Sequence, residues 1–431
     1  MQADRLAALR PFEICSIRPP TENNSLTFRL IRNCYWKKCA FCPLYKTGAK
    51  CTKRSSEEVK ADIVNARILD DLVSEDVLAN APDISVIQKR ADLLMSRIRQ
   101  AWKEAGITEQ ERVTPLDNSQ DPRIKWFSSW FIDYPDISDC LEHLIAWRIS
   151  GGSRTCFLGD ADALILRPEY IEEVMSHIRE NFPGIERFTV YGRTSTAARK
   201  RTVEELSAFQ KAGIDRVHFG MESGSDRVLK MVNKGATPED HTEGALKVSQ
   251  AGLSCSFYIM PGLGGMAMSE EHAAETARVI NRAEPDYVRI RTLEIFGGTP
   301  LDVMRQNGAF IEADDDTVVL EIKRLIEDIT AETELLSDSA TNLLQIHGRL
   351  PEDREHMLAA IDDYLSMKPR QRLEFSLRSR LASFAGQYGG LSQEVADAIR
   401  PVLRNDSLDL SRAFDSELKS MTAFVKSRLM P

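Results

Sequence analysis

Between Thr155 and Pro300 the chain alternates short apolar runs with longer amphipathic stretches, and this alternation is the feature that most narrows what it can fold into. Thr155–Leu158, Arg187–Tyr191, Arg216–Gly220, Ser254–Met260 and Tyr287–Leu293 read as strands. Pro168 opens a helix after the first of them, and Thr202-Val-Glu-Glu205 carries the capping-box pattern that starts another. Ser225–Val232 reads as a short helix, Thr237-Pro238 supplies a cap followed by a first-turn proline, and a further helix spans Ser269 to Ala283. Strands spaced by helices of roughly 10–15 residues pair through crossovers rather than hairpins, which gives a parallel sheet or barrel. Ser25–Arg32 adds a sixth strand upstream. The predicted class is α/β: a partial (β/α)6 TIM-like barrel with a helical insertion and a C-terminal helical region. The expected divisions are 1–54 (N-terminal segment, first strand and cysteine loop), 55–150 (helical insertion), 151–305 (remainder of the barrel) and 306–431 (helical region).

Several function classes fall away on composition. No window approaches the 18 consecutive apolar residues of a membrane span. Met1–Arg10 lacks the apolar core of a secretory signal, so a cytoplasmic location is expected. The net charge of −9 argues against a nucleic-acid partner, since phosphate backbones are bound through Lys and Arg. Without a secretory signal, the eight cysteines read as metal ligands or buried thiols rather than a disulfide framework.

Four of the eight lie between Cys34 and Cys51, directly after the first strand. Cys34-x4-Cys39-x2-Cys42 puts three thiolates on one short loop, a donor set that selects zinc or an iron–sulfur cluster. A closed zinc site needs a fourth ligand, for which Cys51 or Cys15 is available. Three thiolates also suit a four-iron cluster that keeps one iron open, unlike the all-cysteine clusters of electron carriers.

This loop, with Phe41 before its third cysteine, resembles the cluster loop of the radical SAM superfamily. The four-residue gap after Cys34 is one longer than the commonest spacing and is shared with the elongator-type tRNA-modifying branch. The resemblance covers about residues 20–305. Arg216-Val-His-Phe-Gly220-Met-Glu222 through Asn233-Lys234-Gly235 is similar to the fourth strand and following helix of barrels related to oxygen-independent coproporphyrinogen oxidase. Phe257-Tyr-Ile-Met260-Pro-Gly262-Leu-Gly264-Gly265 resembles the fifth-strand adenine turn, and Arg291 to Leu301 the sixth strand with its Gly-Thr-Pro exit. Phe157-Leu-Gly159-Asp160-Ala161-Asp162 holds the second-strand position that receives the amino group of S-adenosylmethionine (SAM).

The resemblance implies a radical SAM barrel: an oxygen-sensitive enzyme with a [4Fe-4S] cluster on Cys34, Cys39 and Cys42, and SAM bound at the open iron. It implies reductive cleavage of SAM to a 5′-deoxyadenosyl radical, fed by an electron donor such as flavodoxin or ferredoxin. The expected SAM-binding residues are Phe41, Asp160, Asp162, Arg193 (with Ser195 beside it), Glu222, Lys234, Met260 and Arg291. Several have a plainer reading: a solvated turn for the aspartates, a surface acid for Glu222, a helix-end cation for Lys234, and an interior salt bridge for Arg291, as for Arg289 on the same strand. His218 shares the parity of Gly220, facing substrate or buried as a core histidine. Trp126, Trp130 and Phe131 either line a lid over the barrel mouth or pack the insertion. The first reading of the substrate is a small molecule. RNA modification is the alternative, and a zinc-binding interaction protein on a barrel scaffold is the reading from a different class.

Overall fold

The computed structural model describes residues 2–15, 17–44, 50–113, 134–404, 407–411 and 413–429. Its sheet takes the order β1 (Leu26–Arg29), β4 (Thr155–Gly159), β5 (Arg187–Gly192), β6 (Arg216–Glu222), β7 (Ser254–Ile259), β8 (Tyr287–Ile290), β9 (Thr333–Leu336) and β10 (His347–Leu350). All neighbours through β9 are parallel, and β10 runs antiparallel to β9. Two short strands, β2 (Ile31–Arg32) and β3 (Thr52–Lys53), pair on either side of the cysteine loop and tie its ends together.

The six expected strands are present in the expected order, and the sheet then continues. β9 and β10 lie in the stretch after Asp314 that reads as helices. Each has only four residues, and His-Gly-Arg-Leu lacks the β-branched and aromatic residues that mark a strand. Pairing with β8 makes them strands; their own sequence does not.

Helices cover the outer face. After α1 (Gln2–Ala8), the insertion contributes α2 (Ser56–Leu72), α3 (Ile84–Glu104) and α4 (Ile137–Ile149). Ser55 and Asp136 open α2 and α4 with capping boxes. α2 packs on β1, on α4 and on α5 (Pro168–Asn181), so it acts as the crossover helix between β1 and β4. Trp126, Trp130 and Phe131, read either as a lid or as packing for the insertion, lie outside the described residues. The remaining crossovers are α6 (Thr194–Lys200), α7 (Val203–Ala212), α8 (Asp226–Met231), α9 (Pro238–Gln250) and α10 (Gly265–Ala283). α7 and α9 start at the expected caps, Thr202 and Thr237. α11 (Pro300–Gln306) and α12 (Asp315–Asp328) follow β8, then α13 (Arg354–Ser366), α14 (Pro369–Tyr388), α15 (Gln393–Ile399) and α16 (Asp415–Lys426).

Leu26, Phe28, Leu158, Val190, Val217, Phe219 and Phe257 face the helices in the main apolar core. The alternate residues of the same strands face inward. Phe157, Tyr191, His218 and Tyr258 make a chain of ring contacts across four neighbouring strands, with centroids 5.1, 6.2 and 6.3 Å apart. A separate apolar cluster sits at the C-terminal ends of the strands: Ala40, Val228, Val232, Leu263, Leu293, Ile295, Leu301 and Phe310, with Phe41 and Met260 against it.

Candidate active site at the C-terminal ends of the strands

The cysteine loop is fastened at several points. Ala40 N–H donates to Val232 O (2.7 Å), and Ala40 O accepts from Leu301 N (3.0 Å). The residue between Cys39 and Cys42 is thereby clamped to α8 and α11. Trp36 Nε1 donates to Asn233 O (2.7 Å), and its ring lies over Gly235. Gly235 has φ +69, and a Cβ there would collide with the indole, so both conformation and space demand glycine. Tyr35 and Thr196 hydroxyls meet at 3.1 Å. The Arg193 guanidinium lies 5.7 and 5.3 Å from the Tyr35 and Trp36 ring centres and donates to Lys234 O (2.6 Å).

Cys39 is half-buried. Burial pushes its thiol above the ordinary pKa, while Lys234 and Arg193 pull it down and Glu222 and Cys34 push it up. Cys34 also bears on Cys51, whose thiol burial raises further. Cys15 is a buried core thiol donating to Phe28 O at 3.2 Å; burial raises its pKa, and it stands apart from the loop cysteines as an inert group. Among the described residues, no three His, Cys, Asp or Glu converge tightly enough to hold a single ion. A donor set of three spaced thiols on one loop, with cations alongside to offset thiolate charge, fits a multi-iron cluster better than tetrahedral zinc.

The expected SAM residues gather around this loop. Glu222 ends β6 at a bulge with φ +66, and its carboxylate meets Lys234 Nζ at 2.7 Å. Both side chains are about nine-tenths buried. Gly220 makes room for the pair, since a Cβ there would strike Glu222 Oε1. Non-glycine residues with left-handed φ are costly, and four of the six described ones (Asn33, Lys37, Glu222 and Asn233) sit here. Met260 N donates to Glu222 O (2.9 Å), joining the β6 and β7 exits. Asp160 is buried and its charge is matched: Arg29 Nε lies 2.8 Å from Oδ2, which also accepts Asn33 N–H at 3.1 Å. Asp162 accepts Arg193 N–H (3.1 Å) and the Thr196 hydroxyl (2.6 Å), and burial raises its pKa to about 6. Ser195 is buried on α6 beside them.

Of the inward arginines, Arg289 takes the interior salt-bridge reading, with Asp338 from the β9–β10 connection. Arg291 is half-buried and bears on the hydroxyls of Tyr191 and Tyr258 inside the barrel. His218 is fully buried below the mouth; its ring nitrogens make no hydrogen bond, and burial with Arg289, Arg216 and Arg187 nearby holds it neutral.

Two groups went unmarked in the sequence. Asn342 Oδ1 accepts both Thr292 N–H and the Thr292 hydroxyl (2.9 Å each), and its Nδ2 donates to Ile290 O (2.8 Å). The β9–β10 connection thereby fixes the end of β8. His272 on α10 bridges Glu321 of α12 (Nδ1 to Oε1, 2.7 Å) and Glu222 O (Nε2, 3.2 Å), and Glu321 also accepts Gly262 N–H (2.9 Å). Burial opposes the imidazolium, and Glu321 more than offsets it, so the His272 pKa lies above its ordinary value. The polar run Ser337-Asp-Ser-Ala-Thr-Asn342 is the one signal for the first group; His272 and Glu321, 49 residues apart, leave none.

Residues 127–277 match the family model for the radical SAM superfamily. The chain carries a radical SAM domain. Its curated relatives include the tRNA uridine(34) acetyltransferase of Methanocaldococcus infernus, 28% identical over 108 residues, which are 25% of this chain and 20% of the relative. The tRNA-2-methylthio-N(6)-dimethylallyladenosine synthase of Desulforamulus reducens is 24% identical over 147 residues, 34% of this chain and 32% of the relative. The chain thus spans about a fifth to a third of the length of these relatives. Among solved structures, coproporphyrinogen III oxidase from Escherichia coli aligns over 98% of this chain and 92% of its own, at 12% identity and a TM-score of 0.34.

Proposed function

We propose that this radical SAM enzyme holds a [4Fe-4S] cluster on Cys34, Cys39 and Cys42 and binds SAM beside it, between the exits of β5 to β8. The bound cluster and SAM supply the chemistry, a 5′-deoxyadenosyl radical made by one-electron cleavage, while the protein orients and shields. The observation that carries the reading is the Glu222–Lys234 ion pair at the mouth beside Cys39, a carboxylate and an ammonium that complement the amino and carboxylate groups of an amino acid. Met260 and Phe41 line the apolar side. Asp160 and Asp162 act by holding the loops, Asp160 through Asn33 and Asp162 through Arg193 and Thr196. Arg193 braces Tyr35, Trp36 and Lys234, and Arg291 faces the interior where substrate meets the radical.

The test is anaerobic reconstitution followed by iron, sulfide and 5′-deoxyadenosine analysis with dithionite and SAM. About four irons and four sulfides per chain are expected, with 5′-deoxyadenosine formed. Cys34→Ala should lose both the chromophore and the nucleoside; a Cys34→Ala protein that keeps four irons and full nucleoside production would overturn the ligand assignment.

For the substrate we propose a small molecule entering the barrel mouth. RNA is the second reading, because the curated relatives are tRNA-modifying by name. The overall acidity does not weigh against it: Asn23 to Ser56 contains eight Lys and Arg and no Asp or Glu. Metabolite and RNA-nucleoside comparison of cells with and without the protein separates the two.

A further inference from the structure

In a chain of net charge −9, the 34 residues from Asn23 to Ser56 that wrap the cysteine loop carry no acid. Their three arginines are used internally: Arg29 on Asp160, Arg32 on Glu13, and Arg54 on Asp62. Lys38, Lys50 and Lys53 are exposed and make no ion pair with a described carboxylate, and neither does Lys200 at the end of α6. All four are tied to the loop. Lys38 Nζ lies 5.1 Å from the Trp36 ring centre, and Lys200 Nζ 5.3 Å from that of Tyr35. Lys50 O accepts from Asn33 Nδ2 (3.3 Å), and Lys53 stands opposite Ile31 in the β2–β3 pair, its Nζ donating to Ile165 O (2.8 Å) while keeping its charge unmatched by a described carboxylate. The result is a positive rim beside the segment that carries Cys34, Cys39 and Cys42.

We propose that this rim, Lys38, Lys50, Lys53 and Lys200 around Tyr35 and Trp36, is the docking surface for an acidic one-electron donor protein. The inference rests on the cluster reading above. Electron transfer falls steeply with distance, so a protein donor must dock where the surface lies nearest the cluster, and the loop that ligates the cluster is that surface. Unpaired rim charges of one sign steer an oppositely charged partner and set its on-rate. The step moves one electron: the donor is oxidised by one electron and the cluster reduced by one, with no bond made and no proton required. An RNA backbone would also meet these lysines, but placement on the cluster loop itself favours the reductant.

The experiment compares the cluster-loaded wild type with Lys38→Glu/Lys50→Glu/Lys200→Glu and a Lys211→Glu control at an exposed lysine of α7, melting temperature confirming the fold of each. Reduction is followed by bleaching of the chromophore, once with a reduced acidic flavodoxin and once with dithionite; fluorescence anisotropy measures binding of labelled flavodoxin. The triple variant should be reduced by flavodoxin at least tenfold more slowly at low ionic strength and bind it at least tenfold more weakly. Raising the salt should slow the wild type toward the same rate, with dithionite reduction unchanged in all three proteins. Wild-type rates and affinity in the triple variant overturn the proposal. So does a triple variant that binds flavodoxin normally while losing a labelled tRNA probe, which would make the rim an RNA surface. If dithionite fails to reduce even the wild type, the cluster reading fails, and the anisotropy arm still decides the surface.

Discussion

Glu222→Gln separates a binding role for the ion pair from a merely structural one. The Glu222 and Lys234 side chains are 11% and 9% exposed and 2.7 Å apart. Removing one charge from such a pair strands the other, which costs about 3 kcal/mol of stability at the lower end of the buried range, fitting for a pair at a barrel mouth. If Glu222 also engages the SAM ammonium, SAM loses one charge-assisted hydrogen bond, about 1.5–3 kcal/mol, or roughly 10- to 150-fold in Kd. The two effects part company in Glu222→Gln/Lys234→Met. That double variant removes the stranded charge and should recover most of the stability, because apolar replacement of a buried pair is often close to neutral. SAM affinity should stay lost. The assays are chemical denaturation and anaerobic equilibrium dialysis with labelled SAM on cluster-loaded protein. A SAM Kd within twofold of wild type in Glu222→Gln, or recovery of both stability and affinity in the double variant, would refute the reasoning and leave the pair as a structural bridge.

Two more perturbations probe the frame of the site. Gly235→Ala puts a methyl group into the Trp36 ring at a left-handed φ, a conformational cost of about 1–2 kcal/mol before any collision; iron content and tryptophan emission should both change, and unchanged values for both would show the indole free to move. Burial holds the Asp162 carboxyl at about 6, above its value of roughly 3.9 in an unfolded chain. Between about pH 4 and 6 the folded chain therefore binds a proton the unfolded chain does not, and this group's contribution to stability falls as pH rises through that window. Asp162→Asn should remove that slope, leaving the wild-type-minus-variant difference falling from pH 4 to 6 and flat above; parallel curves across the range would contradict the burial argument.

What the sequence reveals here follows from local pattern. The six strands and the caps at Thr202 and Thr237 are legible because period-two runs and capping residues are short-range signals. β9 and β10 are hidden because they become strands only by lying beside β8. The site residues are found through a loop and turns in fixed order, and their partners are not. Asp160 reads as a free acid because nothing in the sequence places Arg29 against it, 131 residues away. Arg289 cannot be matched to Asp338 until β9 brings the β9–β10 connection across. Overall charge misleads for a related reason: it averages a basic loop into an acidic chain, whereas a partner meets only the local surface.

The spacing of the cysteines is likewise only half of what shapes their loop. Ala40, between the second and third cysteines, is held by backbone hydrogen bonds from two directions, one to Val232 at the end of α8 and one from Leu301 in α11. The segments that supply those bonds are packed to one another by Val228, Val232, Leu263, Leu293 and Leu301, in a cluster apart from the main core. Loop geometry is therefore imposed by the exits of β6, β7 and β8, the same exits that present Glu222, Met260 and Arg291. A zinc knuckle folds around its ion and brings its own geometry. Here the barrel's packing holds the loop, and the same packing places the cysteines and the strand-exit side chains Glu222, Met260 and Arg291 together.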